Sequence, residues 1–243
     1  MLVILGNQLF PLEHLPPAED APVFMAEDLG LCTYVRHHQQ KIVLFLAAMR
    51  AYADELRAAG YELTYHSLDV SDDCSYEEKL EEALRSSGSN QIRHFEIEDR
   101  PMEDRLVQYA KDKGLDRIEL NSPMFISTRD AFSSFVGDKS RLMMADFYKR
   151  QRRKLAVLVD EQGQPQGGRW SFDDENRKKL PRDVTPPEIS WAGRAPHVDE
   201  VIDLVERHFS DHPGNANDFC WPSTREQALQ WLDDFVADRL DLF

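Results

Sequence analysis

Over the first 121 positions the apolar residues fall into short unbroken runs, separated by longer stretches in which they recur every three or four residues. The runs at 2–5 (LVIL), 22–26 (PVFMA), 62–68 (ELTYHSL), 92–97 (IRHFEI) and 117–120 (RIEL) predict β-strands. Several are apolar throughout, as strands buried on both faces must be. Between them, 34–59, 75–86 and 102–113 predict helices, and Gly60, Gly88 and Gly114 stand where a helix C-cap belongs. Strands alternating with helices predict an α/β fold, a Rossmann-like parallel sheet sandwiched by helices.

After Asn121 the pattern changes, and the only further strand signal is a short one at 157–159. Helices are predicted at 128–136, 144–155, 198–209 and 224–240, the last opened by a capping box of Thr224 and Gln227. EQGQPQGGRW and LPRDVTPPEISWAGRAP interrupt them with glycine and proline. The expected organisation is an α/β domain over 1–136 and a mostly helical region over 137–243.

Composition narrows the class. Hydrophobic residues make up 42% of the 243 and charged residues 30%, which describes a soluble globular chain. The longest apolar stretch, 42–49, is eight residues, against the roughly 18 that a membrane span needs. MLVILGNQLF lacks a positive leader and reads as a core strand, so a cytoplasmic location is expected. Cys32, Cys74 and Cys220 are too few and too scattered for a disulfide framework or a cluster half-site. The net charge of −15 opposes wholesale coating by a polyanion, but it is uneven. From 199 to 243 there are eleven acids against three bases, whereas 141–154 holds six bases and one acid.

GxGxxG, GxxxxGK[ST], HExxH and GxSxG are all absent, so the chemistry must be read from position. Ligands of open parallel sheets sit beyond the carboxyl ends of the strands. That rule selects Gly6, Asn7 and Gln8, then Glu27 and Asp28, then His66, then Glu96 and Glu98. Such groups suit a neutral heterocycle better than a phosphate, and they equally suit a polar turn with solvated carboxylates. His37 and His38 are adjacent and face different sides of a helix, and His208 with His212 has no third ligand, so neither pair predicts a metal. FYKRQRRKL, 147–155, spreads its bases over more than one helical face; it reads either as a phosphate-contacting surface or as a solvated helix pairing with the acidic C-terminal region. GGRWSF and the four tryptophans, all beyond residue 169, read as docking elements.

ILGNQLFP, then TYVRHHQQKIVLFLAAMRAYADELRAAGYELTYHSLD, then FYKRQRRKLAVLVD and GGRWSFDDENRKKLP, together resemble the N-terminal half of the deoxyribodipyrimidine photolyase-related proteins. These are the iron-sulfur bacterial cryptochromes and prokaryotic six-four photolyases. The resemblance runs over nearly the whole chain, with the motifs in the right order. It implies an N-terminal antenna domain joined by a helical linker to a C-terminal domain that carries FAD and a four-iron four-sulfur cluster, which makes this chain a fragment. It implies light-driven repair of damaged DNA by electron transfer from reduced flavin in the full-length parent, or alternatively a cryptochrome-like blue-light photoreceptor without repair activity. No residue of this chain is expected to be catalytic.

The resemblance also places a dimethyl-ribityl-lumazine antenna around Gly6, Asn7, Ala26, Glu27, Asp28, Leu31 and Phe45. Two positions depart from the family pattern, Asn7 where an aspartate is usual and Leu31 where a glutamate is usual, so weak lumazine binding or none is expected. Arg177, Lys178, Lys179 and Arg182 are the expected DNA contacts. The other expected partner is the chain's own C-terminal FAD domain, and no membrane partner is expected.

Overall fold

The computed structural model describes residues 1–138, 140–173, 179 and 181–242. They group into two compact units, Met1–Met124 with Pro186–Phe243, and Phe125–Thr185. The expected boundary at 136/137 therefore lies inside the second unit, and the late helices fold with the α/β layer.

The first unit is built on five parallel strands, β1 (Leu2–Val3), β2 (Val23–Ala26), β3 (Leu63–His66), β4 (Gln91–Phe95) and β5 (Asp116–Leu120), in the spatial order β3-β2-β1-β4-β5. The α/β reading holds. The helices of this unit are α1 (Leu29–Thr33), α2 (Gln39–Ala58), α3 (Tyr76–Ser87), α4 (Arg100–Lys113), α7 (Val198–His208) and α8 (Arg225–Asp238). Residues of the first strand alternate between two cores, as the pleat requires. Val3 and Leu5 pack with Leu80, Leu84, Met102 and Leu106 of α3 and α4. Leu2 and Ile4 pack with Met49, Tyr52 and Leu56 of α2 on the opposite face. The outer side of α2, through Ile42, Val43, Leu46 and Ala47, is covered in turn by Val198, Val201, Ile202 and Val205 of α7.

Local chemistry sets the helix ends. Ser75 and Glu78 form a reciprocal capping box at the start of α3, and Asp99 caps α4 by accepting from the Met102 N–H. Gly88 and Gly114 close α3 and α4 in the left-handed conformation. Two expectations change. The helix expected over 34–59 breaks at 34–38, because the His38 ring turns back to accept from the Gln40 N–H and acts as an N-cap. At α8, Thr224 caps as expected, but Gln227 reaches past it to the Ser223 N–H.

The second unit contains α5 (Arg129–Val136) and α6 (Met144–Leu155). Phe132 and Phe135 stack on Phe147 between them. The strand expected at 157–159 is a single antiparallel bridge, Val159 with Pro165. Among the described residues no helix is long and apolar enough to cross a membrane.

Candidate functional site

Strand order reverses at β1, whose neighbours β2 and β4 lead away in opposite directions, and the carboxyl end of such a switch point is where an open sheet receives ligands. A cavity of about 270 Å³ occupies it. Its floor is Leu5, Gly6 and Asn7 after β1, with Ala26 and Asp28 at the end of β2. Leu31, Cys32 and Tyr34 close one side, Asp99 and Met102 the other. The remaining wall is one face of α2, where Lys41, Phe45 and Met49 recur at the four-residue spacing of a helix. A Cβ at Gly6 would stand 2.7 Å from the Met49 sulfur, so a larger residue there requires the flexible Met49 side chain to shift.

Most of the polar groups around the cavity are already engaged. Asp28 accepts from the Leu31 N–H at 3.2 Å and pairs with Arg105 at 3.3 Å. Arg105 is held in turn by Glu77, and its guanidinium lies 5.8 Å from the Tyr76 ring centre. Lys41 Nζ donates to His37 Nδ1 at 3.3 Å, while burial and the Lys41 charge lower the His37 pKa and keep the imidazole neutral. Burial, reinforced by Glu27 and Asp28, pushes the Cys32 thiol up to about 12, so it is no nucleophile. Tyr76 also lines the cavity, and its hydroxyl has no hydrogen-bond partner among the described residues. The site can enclose a planar apolar body, and it holds no arrangement of base and nucleophile.

Of the residues expected at the antenna site, Gly6, Asn7, Ala26, Asp28, Leu31 and Phe45 line the cavity. Glu27 does not. It is fully buried beside it, where its carboxylate takes two bonds from Arg50 (2.8 and 3.0 Å), one from the Tyr65 hydroxyl (2.6 Å) and one from the Leu68 N–H. Gln8 is likewise interior, donating to the Glu96 carbonyl at 2.8 Å. Glu96 and Glu98 accept from the Ser122 backbone and hydroxyl, and His66 stacks on Phe24 outside the cavity. Sequence reasoning missed Tyr34, His37, Lys41, Met49, Tyr76, Asp99 and Met102. The spacing of 41, 45 and 49 was the available signal for two of them.

The RHHQQK run proves to be a weld. His212 Nδ1 donates to the His37 carbonyl at 2.9 Å. The buried Gln39 amide donates to the His212 carbonyl and accepts from the Ala216 N–H, both at 3.0 Å. Gln40 bridges the Asn215 carbonyl and the Trp221 indole N–H. The His38 ring lies against Gly214, where a Cβ would approach within 2.1 Å of its Nε2. Nearby, Arg50 joins Glu27 to Glu200, and His197 joins Glu200 to Asp54.

Arg177 and Lys178 lie outside the described residues, and Lys179 and Arg182 are exposed. The basic run of α6 divides. Arg152 is buried, donating to the Val157, Leu158 and Trp170 carbonyls between the Tyr148 and Trp170 rings. Arg153 donates to the Gly163 carbonyl and stacks on Trp170 at 4.6 Å. Trp170 is therefore occupied within its own unit; Lys149 is half-buried and pairs with Asp146 at 4.0 Å, and Arg150 and Lys154 are exposed. The other three tryptophans, Trp191, Trp221 and Trp231, pack on one another with ring centres 5.6 to 6.0 Å apart.

A family model described as deoxyribodipyrimidine photo-lyase-related protein matches residues 2–221. The chain belongs to this family. A (6-4) photolyase of Agrobacterium fabrum is 31% identical over 246 residues, covering 99% of this chain and 48% of its own length. An uncharacterized protein of Acanthamoeba polyphaga mimivirus is 27% identical over 192 residues, covering 75% of this chain and 95% of its own length. The photolyase-related chain thus spans about half the length of the (6-4) photolyase it matches.

Proposed function

We propose that this chain is the antenna-type N-terminal portion of a light-dependent, FAD-containing DNA photolyase, and that its cavity receives dimethyl-ribityl-lumazine. The observation that carries this reading is the cavity at the switch point, lined by the six expected residues. The residues present fit such a ring system. Phe45, Met49, Leu46 and Met102 offer apolar and aromatic contact, while Lys41, His37 and the exposed Asn7 supply hydrogen-bonding groups for a hydroxylated side chain. Leu31 supplies none where a carboxylate would accept. When bound, the lumazine would contribute light absorption; the chain's own residues bind it, orient it and keep water from its faces.

The four-iron four-sulfur cluster finds no ligand set here. Among the described residues no three His, Cys, Asp or Glu side chains are placed to hold a metal, and Cys32, Cys74 and Cys220 differ in burial and position. The cluster and FAD are assigned to the second half of the parent, together with the electron transfer that would repair the lesion. DNA contact is assigned to the Phe125–Thr185 unit. It carries thirteen Lys and Arg against nine Asp and Glu, a net charge of +4, whereas the rest of the chain carries sixteen against thirty-five, a net of −19. Phosphate attraction favours the positive unit.

Fluorescence titration with dimethyl-ribityl-lumazine tests the antenna assignment. Weak binding is expected from this sequence, and roughly tenfold or greater strengthening in Leu31→Glu, since a hydrogen bond to a charged group contributes about 1.5–3 kcal/mol. Absence of binding by both proteins overturns it. In a protein that also carries the second domain, Lys178→Ala with Lys179→Ala is expected to weaken binding to damaged duplex and flatten its salt dependence. A six-four substrate left unrepaired by that protein under blue light would favour the photoreceptor alternative.

A further inference from the structure

α8 is seated by one side only. Trp231 packs on Trp191 and Trp221, and Gln227 donates to the Gly193 carbonyl at 2.8 Å. No described residue of this helix is buried. The opposite side carries Leu229, Leu232, Val236 and, just past the helix end, Leu240, exposed by 50, 54, 52 and 47%. Spacings of three, four and four place them in one stripe, the arrangement that packs against another helix. Trp191 and Trp221, half-exposed, lie at the seated side. Glu226 and Asp233 flank the stripe on one side.

We propose that this face of α8 is the seat of the polypeptide that follows in longer relatives, a helical surface with an apolar ridge and a basic residue facing Glu226 and Asp233. The proposal rests on the reading of the chain as one half of a photolyase. Two observations select this occupant. α8 lies beyond residue 221, where the family model stops, yet within the 99% of this chain that the (6-4) photolyase matches. That protein is also the one with more than half of its length unmatched here. A helix matched by a chain about twice as long, with an apolar stripe exposed here, suits contact with the part of that chain that has no counterpart in these 243 residues. Four large apolar side chains in one stripe exceed the scattered exposure that needs no explanation.

The experiment is co-expression of this chain, affinity-tagged, with the unmatched remainder of the Agrobacterium fabrum (6-4) photolyase. Co-elution is expected, lost at least tenfold in Leu232→Asp with Val236→Asp. Both positions are solvent-facing, so the melting temperature and lumazine titration of the double variant should match those of the parent chain. Three outcomes overturn the proposal: no complex with the parent chain, a complex indifferent to the double variant, or a homodimer of this chain that the double variant converts to monomer, which would assign the face to a second copy. The lumazine titration reads the antenna site alone, so failure there and failure here are separate results.

Discussion

Two faces of α2 meet opposite circumstances. Gln39, Gln40 and Arg50 reach into the weld with the 197–221 region, where each polar atom finds a partner: Gln39 both accepts and donates, and Arg50 is divided between Glu27 and Glu200. Lys41, Phe45 and Met49 face the cavity, where apolar surface is left open and the Tyr76 hydroxyl has no partner among the described residues. Satisfied polar groups hold a structure in one arrangement, whereas unsatisfied ones beside a cavity leave capacity for something else. One helix therefore supplies both the attachment of α7 and the wall of the candidate antenna site. Substitutions on the two faces should separate stability from binding.

The largest effect is expected at Glu27→Ala. Removing this carboxylate leaves the largely buried Arg50 guanidinium with Glu200 alone and takes the acceptor from the Tyr65 hydroxyl and the Leu68 N–H. Loss of one partner of a buried pair costs about 3–5 kcal/mol. For a chain of this size that lowers the melting temperature by roughly 6–20 °C, read by thermal denaturation. A drop of only a degree or two would show that Arg50 relaxes to solvent. Next comes Gln39→Ala, which leaves the His212 carbonyl and the Ala216 N–H without partners. A loss of about 2–3 kcal/mol is expected, with lumazine affinity unchanged.

Phe45→Ala should reverse that pattern. Its ring is partly exposed at the cavity, so the melting temperature should move by no more than about 2 °C while lumazine binding weakens roughly tenfold. A loss of stability without loss of affinity would merge the two faces into one. Tyr76→Phe is expected to stabilise the unliganded chain by up to about 1 kcal/mol, because the buried hydroxyl that it removes is unpaired. Destabilisation would mean that an ordered water completes that hydroxyl.

The smallest effect belongs to pH. Burial disfavours the charged His197 ring, but Asp54 at 2.7 Å and Glu200 at 2.8 Å outweigh it and raise the pKa above the ordinary 6.5. The stability this contributes is complete below that ordinary value and is lost as pH rises through the raised one. Denaturation measured on either side of pH 7 should show a decline of less than about 1 kcal/mol, absent in His197→Gln. A decline that persists in the variant would assign it to another group.

Much of this molecule was legible before any coordinates. Periodicity identified the strands of the sheet, because strands buried on both faces leave continuous apolar runs, and strand-end reasoning reached Gly6, Asn7 and Asp28, because a parallel sheet opens at one edge. Side-chain direction was not legible. Glu27 stands one residue from two cavity residues and faces away from both, since successive positions around a strand end point to opposite sides. Arg152 and Trp170 read as an exposed base and a docking aromatic, yet they bind each other.

The sequence by itself determined the alternating order of strand and helix, the polarity of each face and the helix caps, all of which depend on neighbours within a few residues. Only the tertiary structure decided which late segment closes over α2, which carboxylate is consumed by Arg50 and which side of α8 stays bare. Those outcomes depend on contacts between positions up to 181 residues apart, such as Gln40 with Trp221. Chain closure over such distances is selected by the packing of the whole, and no local pattern records it.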